Sequence, residues 1–171
     1  MTMPGSARKV MLTLHITASV GWLGAVLAFL ALALTGLASR NEDVTRGVYV
    51  SMDVMTRWAI VPLCLLSFAT GLVGSLGTPW GLVRHYWVLV KLLLTVVATP
   101  LLILHTRPIG WIARAALSGA PLAADFDSVR MQLVVEPAAA AVVLLLATVL
   151  SVYKPRGVTP YAAESARGTT K

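Results

Sequence analysis

The sequence is poor in charged residues and contains a single cysteine. Charged side chains make up 12% of its 171 residues, whereas about 25% is usual for a soluble domain. Because Cys64 has no second cysteine to pair with, no disulfide can form within the chain. The phosphate-binding loop, the dinucleotide fingerprint and the HExxH, CxxC and nucleophile-elbow motifs are absent as well. The enzyme classes that these motifs mark are therefore not indicated.

Hydrophobic residues are abundant instead, at 57% of the chain, and they fall in long runs. A run of about 20 apolar residues is long enough to cross a bilayer. We predict an all-α fold, an integral membrane four-helix bundle, with spans at about residues 10–38, 48–76, 86–106 and 131–153. The first run is too long for the apolar core of a signal peptide, which has about 7–15 residues. Residues 1–9 form a short polar start, and residues 154–171 form a polar tail that we expect to be disordered.

The formal net charge of +7 at pH 7 is spread over the chain ends and the short loops. A nucleic-acid-binding protein would gather these charges on one stripe, so we predict no nucleic acid partner. Basic flanks suit a lipid bilayer, and four spans place both termini on one side, which the positive-inside bias makes cytoplasmic in the cell membrane. The segment after residue 106 is either a plain loop or an amphipathic interfacial piece. Small-residue pairs at Gly21–Ala25 and Gly71–Ser75 favour close helix packing, either within the chain or in a homo-oligomer.

The third predicted span carries ionisable residues that a membrane solvates poorly. Lys91, Thr95, Ala98, Leu102 and His105 follow a helical spacing and share one face. Ionisable groups within a membrane usually face the protein interior or a watery cavity. We therefore expect this face to point into the bundle.

The predicted topology assigns a depth to each of these groups. His15 and Trp22 on the first span reach the same inner depth as Trp87 and Lys91 on the third span, so we expect one inner cluster. His85 would lie at its rim. Inward histidines of helical bundles are typical ligands of haem iron, a lysine can neutralise porphyrin propionates, and a tryptophan can pack on the macrocycle. The alternative is that His15 only forms interhelical hydrogen bonds and Lys91 only snorkels to the surface.

A second group of ionisable residues is expected in the outer half of the membrane. Arg57 can pair there with Asp53 or with Glu136, because an unpaired charge at that depth is costly. His105 either joins this group or lies at the interface. It is about 18 Å from the depth of His15, at ~1.5 Å per residue, so the two histidines are not expected to bind one iron.

The pattern resembles a known family. The residues that carry the resemblance lie on the first three predicted spans. His15 followed by Trp22-Leu23-Gly24, Arg57 before Pro62 and then Gly71, and Trp87-x-x-x-Lys91 before a leucine-rich run to His105 resemble the HemJ-type membrane protoporphyrinogen oxidases. They also resemble the related copper-resistance D membrane domains and other bacterial integral membrane proteins. The resemblance covers about residues 10–105. It implies a bound haem b, functional roles for His15, Trp22 and Lys91, and a membrane redox partner or a porphyrin as partners.

Two departures from the oxidase pattern are visible. No arginine occurs late in the first helix, and His105 is followed by Thr106-Arg107-Pro108 instead of a segment with tyrosine and cysteine. The methionine-rich segments of a copper-handling protein are absent too.

Three hypotheses follow from these observations. The leading one is a haem b-binding membrane protein with a redox role, in which His15 is the iron ligand. The second is an oxidoreductase of the protoporphyrinogen oxidase type, in which Lys91 or Arg57 steers the substrate carboxylates. The third is a non-catalytic structural or interaction protein. The candidate cofactor-binding residues are His15, Trp22, Trp87, His85 and His105.

Overall fold

A computed structural model describes residues 3–77, 86–119 and 127–153, and these residues are almost entirely helical. The elements are α1 (Gly5–Ala38), α2 (Glu42–Met55), a π-helical turn (Thr56–Ile60), α3 (Val61–Leu76), α4 (Tyr86–Leu117) and α5 (Asp127–Tyr153). The part between Glu42 and Leu76 is one continuous rod, so the described residues form four rods that are long and apolar enough to span a membrane. No strand occurs among them. The prediction of an all-α four-helix bundle is confirmed, and the chain is a multi-pass integral membrane protein.

The helices extend further than the predicted spans at several ends. The second rod begins at Glu42 because the Asn41 side chain caps it, accepting hydrogen bonds from the amides of Asp43 (2.9 Å) and Val44 (3.3 Å). The segment after residue 106, for which a loop and an amphipathic piece were both open, continues α4 as a helix to Leu117. The predicted polar tail from residue 154 lies outside the described residues.

Successive rods run antiparallel around the bundle. α1 packs along α3 and α5 and also contacts α2, while α4 packs mainly against α2 and less closely against α3 and α5. We call the end that carries Gly5, Gly77, Tyr86 and Tyr153 the inner end, and the opposite end the outer end. Between Val88 and His105, α4 has no fully buried residue. The bundle is therefore packed less closely around α4 in its inner half than in its outer half.

The largest buried side chains are concentrated toward the outer end. They include Tyr49, Met52, Ile109, Ile112 and Leu133, each at most 1% exposed. Burial of such a side chain contributes about 1.5–3 kcal/mol. The outer half of the bundle is therefore more closely packed than the inner half.

Three rods are joined by one arginine at the outer end. Arg130 of α5 donates to the hydroxyl of Tyr49 on α2 (2.9 Å) and to the carbonyl of Gly36 near the end of α1 (2.7 Å). Gly36 lets the Tyr49 ring pack closely against α1, because a Cβ atom at residue 36 would lie 3.2 Å from that ring. The arginine thus satisfies a carbonyl that the last turn of α1 leaves without an intrahelical partner.

The second rod contains a π-helical turn at Thr56–Ile60. Pro62 follows it and has no amide hydrogen to donate to the carbonyl of Trp58, four residues earlier. The amide of Val61 instead donates to the carbonyl of Thr56, five residues earlier. The rod therefore accommodates its proline with a widened turn at this point.

Candidate functional site

The polar face predicted for the third span lies on the bundle side of α4. Lys91, Thr95, Ala98 and Leu102 are half-buried and His105 is buried, whereas their neighbours Leu93, Val96, Val97, Leu101 and Leu104 are exposed. The hydroxyls of Thr95 and Thr99 donate to carbonyls one turn earlier, at 2.8 Å each. The ionisable ends of this face, Lys91 and His105, belong to two different groups of residues.

His15 is held against α3 by its Nδ1 atom. That atom lies 3.0 Å from the carbonyl oxygen of Ser67 and 3.2 Å from the hydroxyl of Thr70. A carbonyl oxygen only accepts hydrogen bonds, and the Thr70 hydroxyl donates its own proton to the carbonyl of Leu66 at 2.6 Å. Both contacts therefore require a proton on Nδ1. In the neutral imidazole, the lone pair is then on Nε2.

The approach of His15 to α3 depends on a glycine. A Cβ atom at Gly71 would come within 2.9 Å of the imidazole Cε1 atom. One turn further along α1, Ser19 and Ser67 join their hydroxyls at 2.8 Å. Small and hydroxylated residues thus bring α1 and α3 close together around the histidine.

Lys91 lies in the same inner half of the bundle as His15. Its ammonium group donates to the hydroxyl of Ser151 on α5 and lies 5.8 Å from the centroid of the Trp87 ring. This distance is within the range of a cation–π interaction. His15, Lys91, Trp87 and Ser151 thus form a polar group at the inner end of the bundle, which we call the inner cluster.

Trp22 is not part of the inner cluster. Trp22 is 4% exposed and packs in the hydrophobic core with Val26 and Phe29, about 10 Å further along α1 than His15. Its indole nitrogen has no hydrogen-bond partner among the described residues. His85 lies outside the described residues.

The outer group is divided into two pairs. Arg57 pairs with Asp53 and not with Glu136, through contacts of 3.0 and 2.9 Å from its Nε atom to the two carboxylate oxygens. Glu136 on α5 pairs with Nδ1 of His105 on α4 and also accepts a hydrogen bond from Gln132. The Nε2 atom of His105 is buried and has no partner within residues 3–77, 86–119 and 127–153.

The two histidines are far apart along the bundle. Lys91, which lies near His15, is 14 residues from His105 on α4, or about 21 Å at ~1.5 Å per residue. Across the described ranges, no three His, Cys, Asp or Glu side chains come together as a metal site. The two histidines are therefore too far apart to bind one iron atom together.

Several residues that complete the inner cluster were not predicted from the sequence. Ser67, Thr70 and Gly71 position His15, and Ser151 holds Lys91. Ser67, Thr70 and Gly71 share one face of α3 at the depth of His15, which is the signal that could have identified them. Ser151 has no such neighbours on its own helix.

Comparisons with protein-family models, curated proteins and solved structures give no match for this chain.

Proposed function

We propose that this membrane protein binds haem b at the inner cluster, with His15 as the iron ligand, and has a redox role. The observation that carries the proposal is the hydrogen bond from Nδ1 of His15 to the Ser67 carbonyl at 3.0 Å. A ligating histidine almost always donates its second ring nitrogen in this way, which fixes the tautomer and the ring orientation. The free lone pair on Nε2 is the chemistry that an iron ligand needs.

The other members of the inner cluster fit a porphyrin. The Lys91 ammonium is a cation placed to neutralise a propionate, and Trp87 beside it offers an aromatic face. Haem b would supply one-electron redox chemistry at this position. The residues of the chain would orient the macrocycle and keep it within the loosely packed inner half of the bundle.

His105 is not the second axial ligand in this proposal. Its Nδ1 atom is bound to Glu136, and it lies about 21 Å from the level of the inner cluster. Among the described residues, His15 would then be the one that holds the iron. His105 and Glu136 would join α4 to α5.

The oxidase alternative assigns substrate carboxylates to Lys91 or Arg57. Arg57 reaches the backbone of α4 at Gly110, since its Nη2 atom lies 3.1 Å from the position that a Cβ atom would take there. Gly110 is 19 residues from Lys91, or about 28 Å along the helix. The two cations therefore cannot hold one porphyrin, and of the two only Lys91 lies beside His15.

The spectroscopic test uses protein purified in detergent and supplied with haem. Wild-type protein should show a Soret band, and His15→Ala should lose it. The matched control is His105→Ala, which removes the other described histidine and should keep the band. Added imidazole should restore haem binding to His15→Gly, because it can occupy the space of the missing ring. A colourless wild-type preparation that takes up no haem would leave the structural, non-catalytic hypothesis in its place.

The orientation and the redox partner of the protein are part of the same proposal. Both termini would lie in the cytoplasm, and the chain would exchange electrons with a membrane redox partner. Alkaline phosphatase fused after residue 153 should be inactive, and a green fluorescent protein fused there should be fluorescent. The opposite result would invert the orientation.

A further inference from the structure

The outer end of the bundle carries three exposed arginines, Arg57, Arg107 and Arg114, at and just beyond one level of the molecule. We propose that this level is the edge of the bilayer, that the bundle projects about 15 Å beyond it, and that the three arginines bind the headgroup phosphate of an anionic phospholipid. The leaflet concerned is the one opposite the chain termini. The haem proposal does not depend on this site.

Contacts between the helices define the level. A Cβ atom at Gly21 of α1 would lie 3.4 Å from Leu63 of α3, so these two residues are at the same level. Arg57 is six residues nearer the outer end than Leu63, and Leu27 is six residues nearer it than Gly21. Arg57 and Leu27 are therefore level with each other. Cys64 lies 3.6 Å from Thr99, and Arg57 is seven residues nearer the outer end than Cys64, so the same level is reached on α4 at Thr106, next to Arg107. The pair between His105 and Glu136 extends the level to α5. We call this level the collar.

The distance from the collar to the inner end is close to the thickness of a bilayer on all four rods. The intervals from Gly5 to Leu27, from Arg57 to Gly77, from Tyr86 to Arg107 and from Glu136 to Tyr153 are 22, 20, 21 and 17 residues. At ~1.5 Å per residue these intervals are about 26–33 Å long. The hydrocarbon core of a bilayer is about 30 Å thick. Trp58, which is 80% exposed at the collar, is the type of residue that marks such an interface.

Beyond the collar, α2 has the pattern of a helix with water on one side. Its buried residues, Thr45, Val48, Tyr49 and Met52, follow one face. The exposed residues are Glu42, Asp43, Gly47 and Ser51, together with Val44 and Val54. This is the alternation of an amphipathic helix, which a fully lipid-embedded helix does not need. The rods continue beyond the collar for about 14–22 Å, as counted to Ala38, Glu42, Leu117 and Asp127.

The arginines are arranged to receive an anion. Nη2 of Arg57 and Nη1 of Arg114 lie 3.1 and 3.6 Å from the same point, the position of a Cβ atom at Gly110, and Oδ1 of Asp53 lies 3.4 Å from it. The glycine thus lets two guanidinium groups approach one spot on α4. Arg107, one exposed turn away on the same helix, extends the patch toward the lipid chains.

The charge count of the patch favours an anionic lipid. Three arginines face one carboxylate, that of Asp53, which Arg57 engages through its Nε atom. The other carboxylate at the collar, Glu136, is bound by His105 and Gln132. Three arginines and one carboxylate give the patch a net charge of two positive units. Guanidinium groups bind phosphate oxygens in a bidentate manner. Phospholipid phosphates are the anions that occur at this depth.

Lipid binding is tested by native mass spectrometry of the full chain titrated with phosphatidylglycerol or phosphatidylcholine. We expect wild-type protein to retain phosphatidylglycerol preferentially and the R57Q/R114Q variant to bind it at least roughly tenfold more weakly. The control R40Q removes an exposed arginine outside the patch and should bind as wild type does. Equal binding by R57Q/R114Q and wild type would overturn the site. Displacement of the lipid by millimolar inorganic phosphate would also overturn it, since the site would then be one for free phosphate.

The level of the bilayer is tested separately with single cysteines in a C64S background. Ser51 and Leu66 are both exposed on the second rod, on opposite sides of the collar. In vesicles with the outer end facing the solution, an impermeant maleimide should label S51C and leave L66C unlabelled. V44C, further from the collar, provides a second position that should be labelled. If S51C and V44C both stay unlabelled, while detergent exposes them, the projection of the bundle is overturned.

Discussion

The imidazole of His15 lies directly against the backbone of α3 at Gly71, with 2.9 Å between its Cε1 atom and the position of a Cβ atom there. Real Cβ atoms essentially never make so short a contact, so Gly71→Ala should displace the histidine. We expect a loss of about 1–3 kcal/mol in the free energy of unfolding, as for overpacked sites. If His15 binds haem, the Soret band should also weaken or shift.

Gly74, three residues further along α3, is the matched control for this substitution. A Cβ atom there would meet only the side chain of Met11, at 4.0 Å. Gly74→Ala should therefore leave the spectrum unchanged and stabilise the helix by up to about 1 kcal/mol, the usual advantage of alanine over glycine. Equal behaviour of the two variants in thermal unfolding and in the spectrum would refute the contact with His15.

Thr70 gives a milder test of the way in which His15 is held. Thr70→Val keeps the shape of the side chain and removes one of the two acceptors at Nδ1, while the Ser67 carbonyl remains. We expect a cost of about 0.5–1.5 kcal/mol in stability and retention of haem with a broadened spectrum. Complete loss of haem would show that the hydroxyl, and not the carbonyl, holds the ring.

Arg130 should contribute more to stability than most other residues at the outer end of the bundle. Arg130→Lys removes the forked donor that reaches both Tyr49 and Gly36, and hydrogen bonds that involve a charged group contribute about 1.5–3 kcal/mol. Tyr49→Phe removes only one of these bonds and should cost about 1 kcal/mol. Denaturant unfolding in detergent measures both effects. Arg40→Lys, an exposed loop substitution, should have no measurable effect.

The pair between His105 and Glu136 should be coupled energetically. We expect a double-mutant cycle with His105→Leu and Glu136→Leu to give a coupling energy of about 0.5–2 kcal/mol. Glu136→Gln keeps an acceptor for the Nδ1 proton and should cost less than Glu136→Leu. A coupling energy of zero would mean that the two side chains do not depend on each other in the folded protein.

The sequence was sufficient to predict the helical bundle and the inward face of α4. Both are periodic within one helix: apolar runs of about 20 residues predict spans, and the spacing from Lys91 to His105 predicts a common face. The depth of each residue then follows from counting along antiparallel rods. This is why Lys91 could be placed near His15, although 76 residues separate them.

Contacts that depend on the rotation of one helix against another could not be predicted in this way. Arg57 had two carboxylates within the expected depth; it pairs with Asp53, one turn away on its own rod, while Glu136 of α5 pairs with His105 of α4. His15 bonds to a backbone carbonyl at Ser67, and a backbone carbonyl leaves no mark in a sequence. Trp22 shares the predicted face with His15, yet the tight outer packing places it in the apolar core.

The π-helical turn in the second rod has a consequence for insertions and deletions in this chain. Met52, Thr56, Ile60 and Cys64 are all buried and are spaced four residues apart. In an uninterrupted α-helix, three such steps would rotate the last residue by about 120° relative to the first. The π-helical turn compensates for this rotation, because it accommodates one extra residue. Deletion of a single residue between Thr56 and Ile60 would therefore restore a regular helix and keep Met52 and Cys64 on one buried face, since 11 residues at about 100° each return to within about 20°.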